Sequence, residues 1–356
     1  MITSSFLPNL SKITAGGLLL ILSMVGEAQA TTPTLTSSFS NSYSLTDLGS
    51  VQQIPPAYGG LTFQPGDSNT LLISGSADTP DAGIYSLKVT RNSDNHITGF
   101  GIPSLFAKAP GLGSGGIDAG LVYSPSADVL FYTSYDDNSV GQIKSGNSGP
   151  DRRIDLNSLG IASSTGALNF VPEGFAGAGR LKITSYTENT FYDTTITPDG
   201  SGTYNISAPS KSIKLDGGLD GFIYVKAGNP GFSQDSLLMS EYDNTSVAAY
   251  TLDANGDPIP GTRQDFIKEL GYHSPTSLTG VAGATLDPLT GDFLFSAYFE
   301  DSPSGSRIFE VRSLKNPISV LEPNVAVASL AFLGFVLLSR NKRKNPLEKK
   351  HSYNRI

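Results

Sequence analysis

Between residues 43 and 315 the chain alternates short apolar runs with clusters of Gly, Pro, Asn, Asp and Ser. Runs of this length, bounded by turn residues, predict β-strands rather than helices. The runs recur in pairs. The first member is a small residue followed by an aromatic or aliphatic one. It occurs as Gly60-Leu61-Thr62-Phe63, Gly120-Leu121-Val122-Tyr123, Ala167-Leu168-Asn169-Phe170, Gly221-Phe222-Ile223-Tyr224 and Gly283-Ala284-Thr285-Leu286. The second is a denser apolar run ending in Ser: Leu71–Ser74, Leu130–Ser134, Leu181–Ser185, Leu237–Ser240 and Phe293–Ser296. Tyr follows four of these, as Tyr135, Tyr186, Tyr242 and Tyr298.

Each pair is followed by more alternating segments, for example Ser246–Tyr250, and then by Arg153–Leu156, Ser212–Leu215 or Asp265–Ile267. Two strands buried on both faces, then two half-exposed ones, describe the blade of a β-propeller. The fold expected is therefore all-β: a β-propeller of five visible four-stranded repeats over residues 43–315, with a degenerate sixth left open. Asp265 to Leu270 is the one stretch that also suits a short helix. Tyr43–Leu48 has the character of a fourth strand placed before the first repeat. It is expected to pair with Ile308–Val311 and close the ring, which removes a free edge.

The two ends differ from this pattern. Ile13 to Val25 is apolar behind Lys12 and is followed by Ala28-Gln29-Ala30. This predicts a signal peptide over residues 1–30, with Ala28 and Ala30 as the small residues of the cleavage site. Residues 31–42, rich in Ser, Thr and Pro, are expected to be a flexible linker. Near the other end, Val325 to Leu338 is 14 uncharged residues, short of the ~20 of a straight membrane span. Extending it back includes Glu322, whose carboxylate belongs near the interface. Residues 316–339 are expected to form a sorting signal or transmembrane helix. The tail, residues 340–356, carries seven Lys/Arg against one Glu, 7 − 1 = +6, and should stay cytoplasmic.

The segment Leu321-Glu322-Pro323, the apolar run and the basic cluster resemble the PEP-CTERM sorting signal of exported bacterial proteins. Leu321 stands where that motif has its first Pro, so Glu322 and Pro323 carry the match. The resemblance implies processing by a membrane-embedded exosortase; a plain C-terminal anchor is the alternative reading. Either places the protein at the cell envelope or surface, with the membrane as a partner through the C-terminal helix. The stretch Phe131 to Val140, with its Thr-Ser-Tyr-Asp-Asp-Asn-Ser-Val, is similar to repeats of the NHL and YVTN propellers, which implies the same fold and no particular activity.

Residues 31–315 hold 16 Lys/Arg and 29 Asp/Glu, 16 − 29 = −13. An acidic exterior argues against nucleic acid as a partner. With no Cys in the chain, disulfides, thiolate metal sites and Cys nucleophiles are excluded.

Candidate chemistry is sparse. Asp118 and Asp220 precede inner strands and Glu173 follows one. In a propeller such positions lie near the channel mouths, where carboxylates could hold Ca²⁺, although Asp before Gly also caps ordinary turns. Glu173 should lie at the opposite mouth from the two Asp. Asp253-Ala254-Asn255-Gly256-Asp257 lacks the Gly and Glu spacing of a calcium loop and reads as a hairpin turn. His96, His273 and His351 show no ligand spacing, and no Gly-x-Ser-x-Gly element is present. The repeated Ser and Tyr read as blade residues, or as an aromatic lining for carbohydrate. No cofactor is required by any of this. The leading expectation is a non-catalytic exported propeller that binds polysaccharide or a protein, or serves as an extracellular-matrix protein; a calcium-dependent, lactonase-like hydrolase using channel carboxylates is the alternative.

Overall fold

The structure, a computed structural model, describes residues 32–274, 277–299 and 305–315. Ala28, Ala30, Glu322, Pro323 and the basic tail lie outside these residues. Among the described residues no helix is long and apolar enough to cross a membrane.

Five antiparallel sheets form a propeller. Blade 1 contains Leu61–Gln64, Asp67–Gly75, Gly83–Arg91 and Ser104–Lys108. Blade 2 contains Ile117–Tyr123, Val129–Ser134, Ser139–Lys144 and Arg152–Asp155; blade 3, Thr165–Phe170, Leu181–Ser185, Thr190–Thr194 and Lys211–Lys214. Blade 4 runs through Leu219–Val225, Ser236–Glu241, Ser246–Thr251 and Gln264–Lys268. Blade 5 uses Ser277–Leu286, Phe293–Tyr298 and Arg307–Ser313, and takes its outer strand, Tyr43–Gly49, from the N-terminal side. The register Tyr43↔Ser313, Leu45↔Val311 and Asp47↔Phe309 closes the ring. Each innermost strand packs against those of its two neighbours, and the first blade meets the fifth. The described residues form five blades and no sixth.

Burial follows the pattern expected of blades. Val129–Ser134 and Leu181–Ser185 are buried at every position, whereas the outer strand Arg152–Asp155 alternates between half-buried and exposed. Inner strands come so close that side chains are excluded at some points. A Cβ on Gly166 or Gly221 would collide with the backbone carbonyl of Leu219 or Ala282 in the next blade, so these positions require glycine for its lack of bulk.

Three expectations need amendment. The stretch expected to be a loose linker, residues 31–42, is largely packed. Thr34–Leu35 adds an edge strand to blade 4, and Phe39 is buried against Phe232 and Phe266. A single large apolar side chain in a polar segment is enough to anchor it. Second, Asp265–Leu270 is not helical, because Phe266 and Ile267 are fully buried as part of strand Gln264–Lys268. Third, two elements escape the repeat pattern altogether. Ile97–Phe100 pairs with the far end of Gly83–Arg91. The hairpin Ile196–Pro198/Tyr204–Ile206 docks on blade 2, where the Gln142 amide bonds both the N–H and the C=O of Tyr204 at 2.8 Å.

Candidate functional site

The site lies where the inner strands begin and the second strands end, since paired antiparallel strands bring these ends together. In blades 2 to 5 the inner strand bulges near its start. Thr165 and Leu168 pair with Ser185 and Ile183, so three steps on one strand match two on the other. Leu219/Phe222 and Val281/Ala284 repeat this, and blade 2 inserts one residue more between Ile117 and Leu121. A bulge bends its strand and re-aims side chains. The bulged residues include Asp118, Asp220 and Ala282, all of which face one cavity.

A hydroxyl on the second strand holds the bulge in place in blades 2, 3 and 5, while Ser240 Oγ, the equivalent in blade 4, is buried without a hydrogen-bond partner. Thr133 Oγ1 accepts from Gly120 N–H (2.9 Å) and donates to Gly166 C=O in the next blade (2.7 Å). Thr184 accepts from Ala167 N–H (2.7 Å), and Ser296 accepts from Gly283 N–H (2.9 Å) and donates to Gly59 C=O of blade 1 (2.5 Å). Ser74 accepts from Gly59 N–H at 2.9 Å. The blade-equivalent hydroxyls are therefore Thr133 and Thr184, not the neighbouring Ser134 and Ser185 that the sequence repeat singles out. With that register the tyrosines fall two residues after the hydroxyl in blades 2 to 5: Tyr135, Tyr186, Tyr242 and Tyr298. Blade 1 has Ser76 at that place. It breaks the repeat and instead sends in Asp78, held in a left-handed conformation (φ 63°) with its N–H on Ile117 C=O.

The result is a cavity of about 230 Å³ lined by Asp78, Asp118, Asp220, the four tyrosines and Ala282. The rings form an arc of edge-to-face contacts, with centroids 5.6, 5.9 and 6.2 Å apart from Tyr135 through Tyr186 and Tyr242 to Tyr298. Tyr186 donates to Asp243 Oδ1 at 2.5 Å. Burial raises the phenol pKa values of Tyr186 and Tyr242, so both stay neutral at physiological pH.

The carboxylates carry the electrostatic character. Asp118 and Asp220 are 6% and 4% exposed. Burial raises the pKa of both well above the usual carboxylate range, and repulsion raises it further: Asp78 and Asp220 act on Asp118, Asp78 and Asp243 on Asp220. Asp220 Oδ1 is buried with no hydrogen-bond partner. The described lining residues include no Lys, Arg or His. A positively charged ligand would supply what these groups lack.

Of the residues singled out from sequence, Asp118 and Asp220 share this cavity. Glu173 sits on an exposed turn after the inner strand of blade 3, away from it. Asp253 caps its own hairpin turn by accepting from the N–H groups of Asn255 and Asp257. Asp78 went unnoticed because it lies outside the repeat; the missing Tyr in blade 1 was the available signal. Elsewhere, His96, Asp292 and Glu310 form the one His/Asp/Glu cluster of three among the described residues whose ligand atoms all lie within 4.8 Å of one another.

No protein-family model matches the chain, and no curated protein matches it. Among solved structures it is similar to the glutaminyl cyclase of Myxococcus xanthus, with 11% identity, 78% of this chain and 97% of that chain covered, and a TM-score of 0.44. It is also similar to the PQQ-bound aldose sugar dehydrogenase of Streptomyces coelicolor (13% identity, 75% and 84% covered, TM-score 0.39). A third similar structure is the calcium form of a Trichoderma reesei carbohydrate-active enzyme of family AA12 (10% identity, 79% and 96% covered, TM-score 0.41). At these identities and scores the likeness carries nothing about ligand or reaction.

Proposed function

We propose that this chain is an exported β-propeller, held at the cell envelope, that binds an ammonium-bearing carbohydrate-sized ligand at its channel mouth without transforming it. The observation that carries this reading is the meeting of three carboxylates from three blades with four tyrosines in one cavity, at the place where the blade repeat is broken. Carboxylates attract the cation, and aromatic faces add cation–π attraction and stacking surface for a sugar ring.

A single metal ion fits less well. Oxygens on opposite sides of Ca²⁺ are about 4.8 Å apart, and the three Asp are not among the groups with ligand atoms within that distance. A ligand of several atoms can span them. Export rests on the apolar run Ile13 to Val25 and the small residues Ala28 and Ala30 after it. Envelope retention rests on Val325–Leu338 and its basic tail, with exosortase processing at Glu322-Pro323 as part of the same proposal.

The chain has no Trp, and four of its 15 Tyr line the cavity, so tyrosine emission includes the site. Glucosamine oligosaccharides should quench or enhance it saturably, their N-acetylated forms should not, and Asp220→Asn should abolish the response. A saturable response to CaCl₂ alone, lost in the same variant, would replace this reading with the calcium-dependent hydrolase. No response to either would overturn both.

A further inference from the structure

We propose that His96, Asp292 and Glu310 form a zinc-class divalent metal site at the seam between blade 1 and blade 5. The three residues come from the turn before Ile97–Phe100, the turn before Phe293–Tyr298 and the strand Arg307–Ser313. His96 is about two hundred residues from the other two in sequence, yet one ligand atom from each of the three lies within 4.8 Å of the others. This site is separate from the channel mouth and does not depend on the reading given to it.

The donor set is what such an ion takes. One imidazole nitrogen and two carboxylates at 2.0–2.2 Å, roughly tetrahedral, place ligand atoms about 3.3–3.5 Å apart. In the structure His96 Nδ1 and Asp292 Oδ2 are 2.6 Å apart, so they need open by less than about 1 Å. Three oxygen and nitrogen ligands are too few for Ca²⁺, which takes six to eight oxygens, and imidazole favours zinc and its neighbours over Mg²⁺.

Two further observations point to a ligand. Asp292 has a side chain 1% exposed, and its Oδ1 is buried without a hydrogen-bond partner while Oδ2 serves His96 and Thr290. Glu310, fully buried, uses one oxygen for Ile97 N–H (3.1 Å) and the other for Arg312 Nε (2.6 Å). That leaves a lone pair on each oxygen. Two buried carboxylates thus face one Arg, and the imidazole between them is 25% exposed, so an ion has a route in from solvent. The other nearby pair, Arg91–Asp287, is complete in itself and takes no part. An ion here would tie blade 1 to the blade that closes the ring.

The test uses the full chain without an affinity tag, stripped with EDTA. Titration with ZnCl₂ should show one saturable equivalent and raise the melting temperature by several degrees, while MgCl₂ and CaCl₂ at the same concentration should not. Substitution with Co²⁺ should give visible absorption bands. His96→Ala should lose all three signals and Asp220→Asn should keep them, which separates this site from the channel mouth. Should His96→Ala fail to fold, His96→Gln keeps the bulk and loses the ligand. Absence of saturable zinc binding by the wild type, or equal binding by a folded His96 variant, would overturn the proposal and leave His96–Asp292 as an ordinary ion pair.

Discussion

Asp220→Asn should stabilise the ligand-free protein at neutral pH while abolishing ligand binding. In the folded chain the Asp220 pKa is raised above its ordinary 3.8 by burial and by Asp78 and Asp243. The folded state therefore binds more protons than the unfolded one, and stability falls as pH rises above about 3.8 toward the folded pKa. One pKa unit corresponds to about 1.4 kcal/mol. The Asn amide is itself polar and buried, so the net gain should be on the order of 1 kcal/mol. In a domain of this size it would raise the melting temperature by roughly 2–4 °C per kcal/mol. Urea unfolding of both proteins at pH 5, 6 and 7 measures it. The difference in stability should grow with pH by no more than about 1.4 kcal/mol per unit and vanish near pH 4. A variant less stable than wild type at pH 7, or a difference that does not change with pH, would refute the account of a desolvated, uncompensated carboxylate.

Removal of residues up to Leu48 should cost most of the net stability. It unburies Phe39 and Tyr43, at roughly 1.5–3 kcal/mol each, and strips the outer strand from blade 5, exposing an edge prone to aggregation. Removal only up to Pro33 should be nearly neutral, whereas removal up to Ser38 should cost an intermediate amount through Thr34–Leu35; thermal melts of the three rank them, and equal melts would refute closure by the N-terminal strand. At the ends, the mature chain is expected to start at Thr31, and Glu322→Ala to accumulate as an unprocessed membrane-held form. N-terminal sequencing beginning at Met1, or equal processing of both forms, would remove those assignments in turn.

Much of the architecture is local and so was legible from residue order alone. Apolar runs bounded by turn residues become strands wherever they can pair. Five recurrences of Leu71–Ser74-like runs imply five sheets, and an unpaired strand at Tyr43 implies a partner at the far end of the chain. The Tyr repeat was visible too, because blades 2 to 5 each place it two residues past the same hydroxyl-bearing position of the second strand. What the repeat could not reveal was the register at Thr133 and Thr184, since a bulge shifts pairing without leaving a mark in composition. Phe39 looked like part of a solvated linker until Phe232 and Phe266 stood beside it. Asp78 enters the channel mouth through a left-handed turn that no periodicity encodes. His96 meets Asp292 and Glu310 only because the ring closes, bringing the first and last blades into contact. Strand identity is set by neighbours in the chain, whereas the charge and chemistry of a site are set by which distant side chains share a space from which water is excluded.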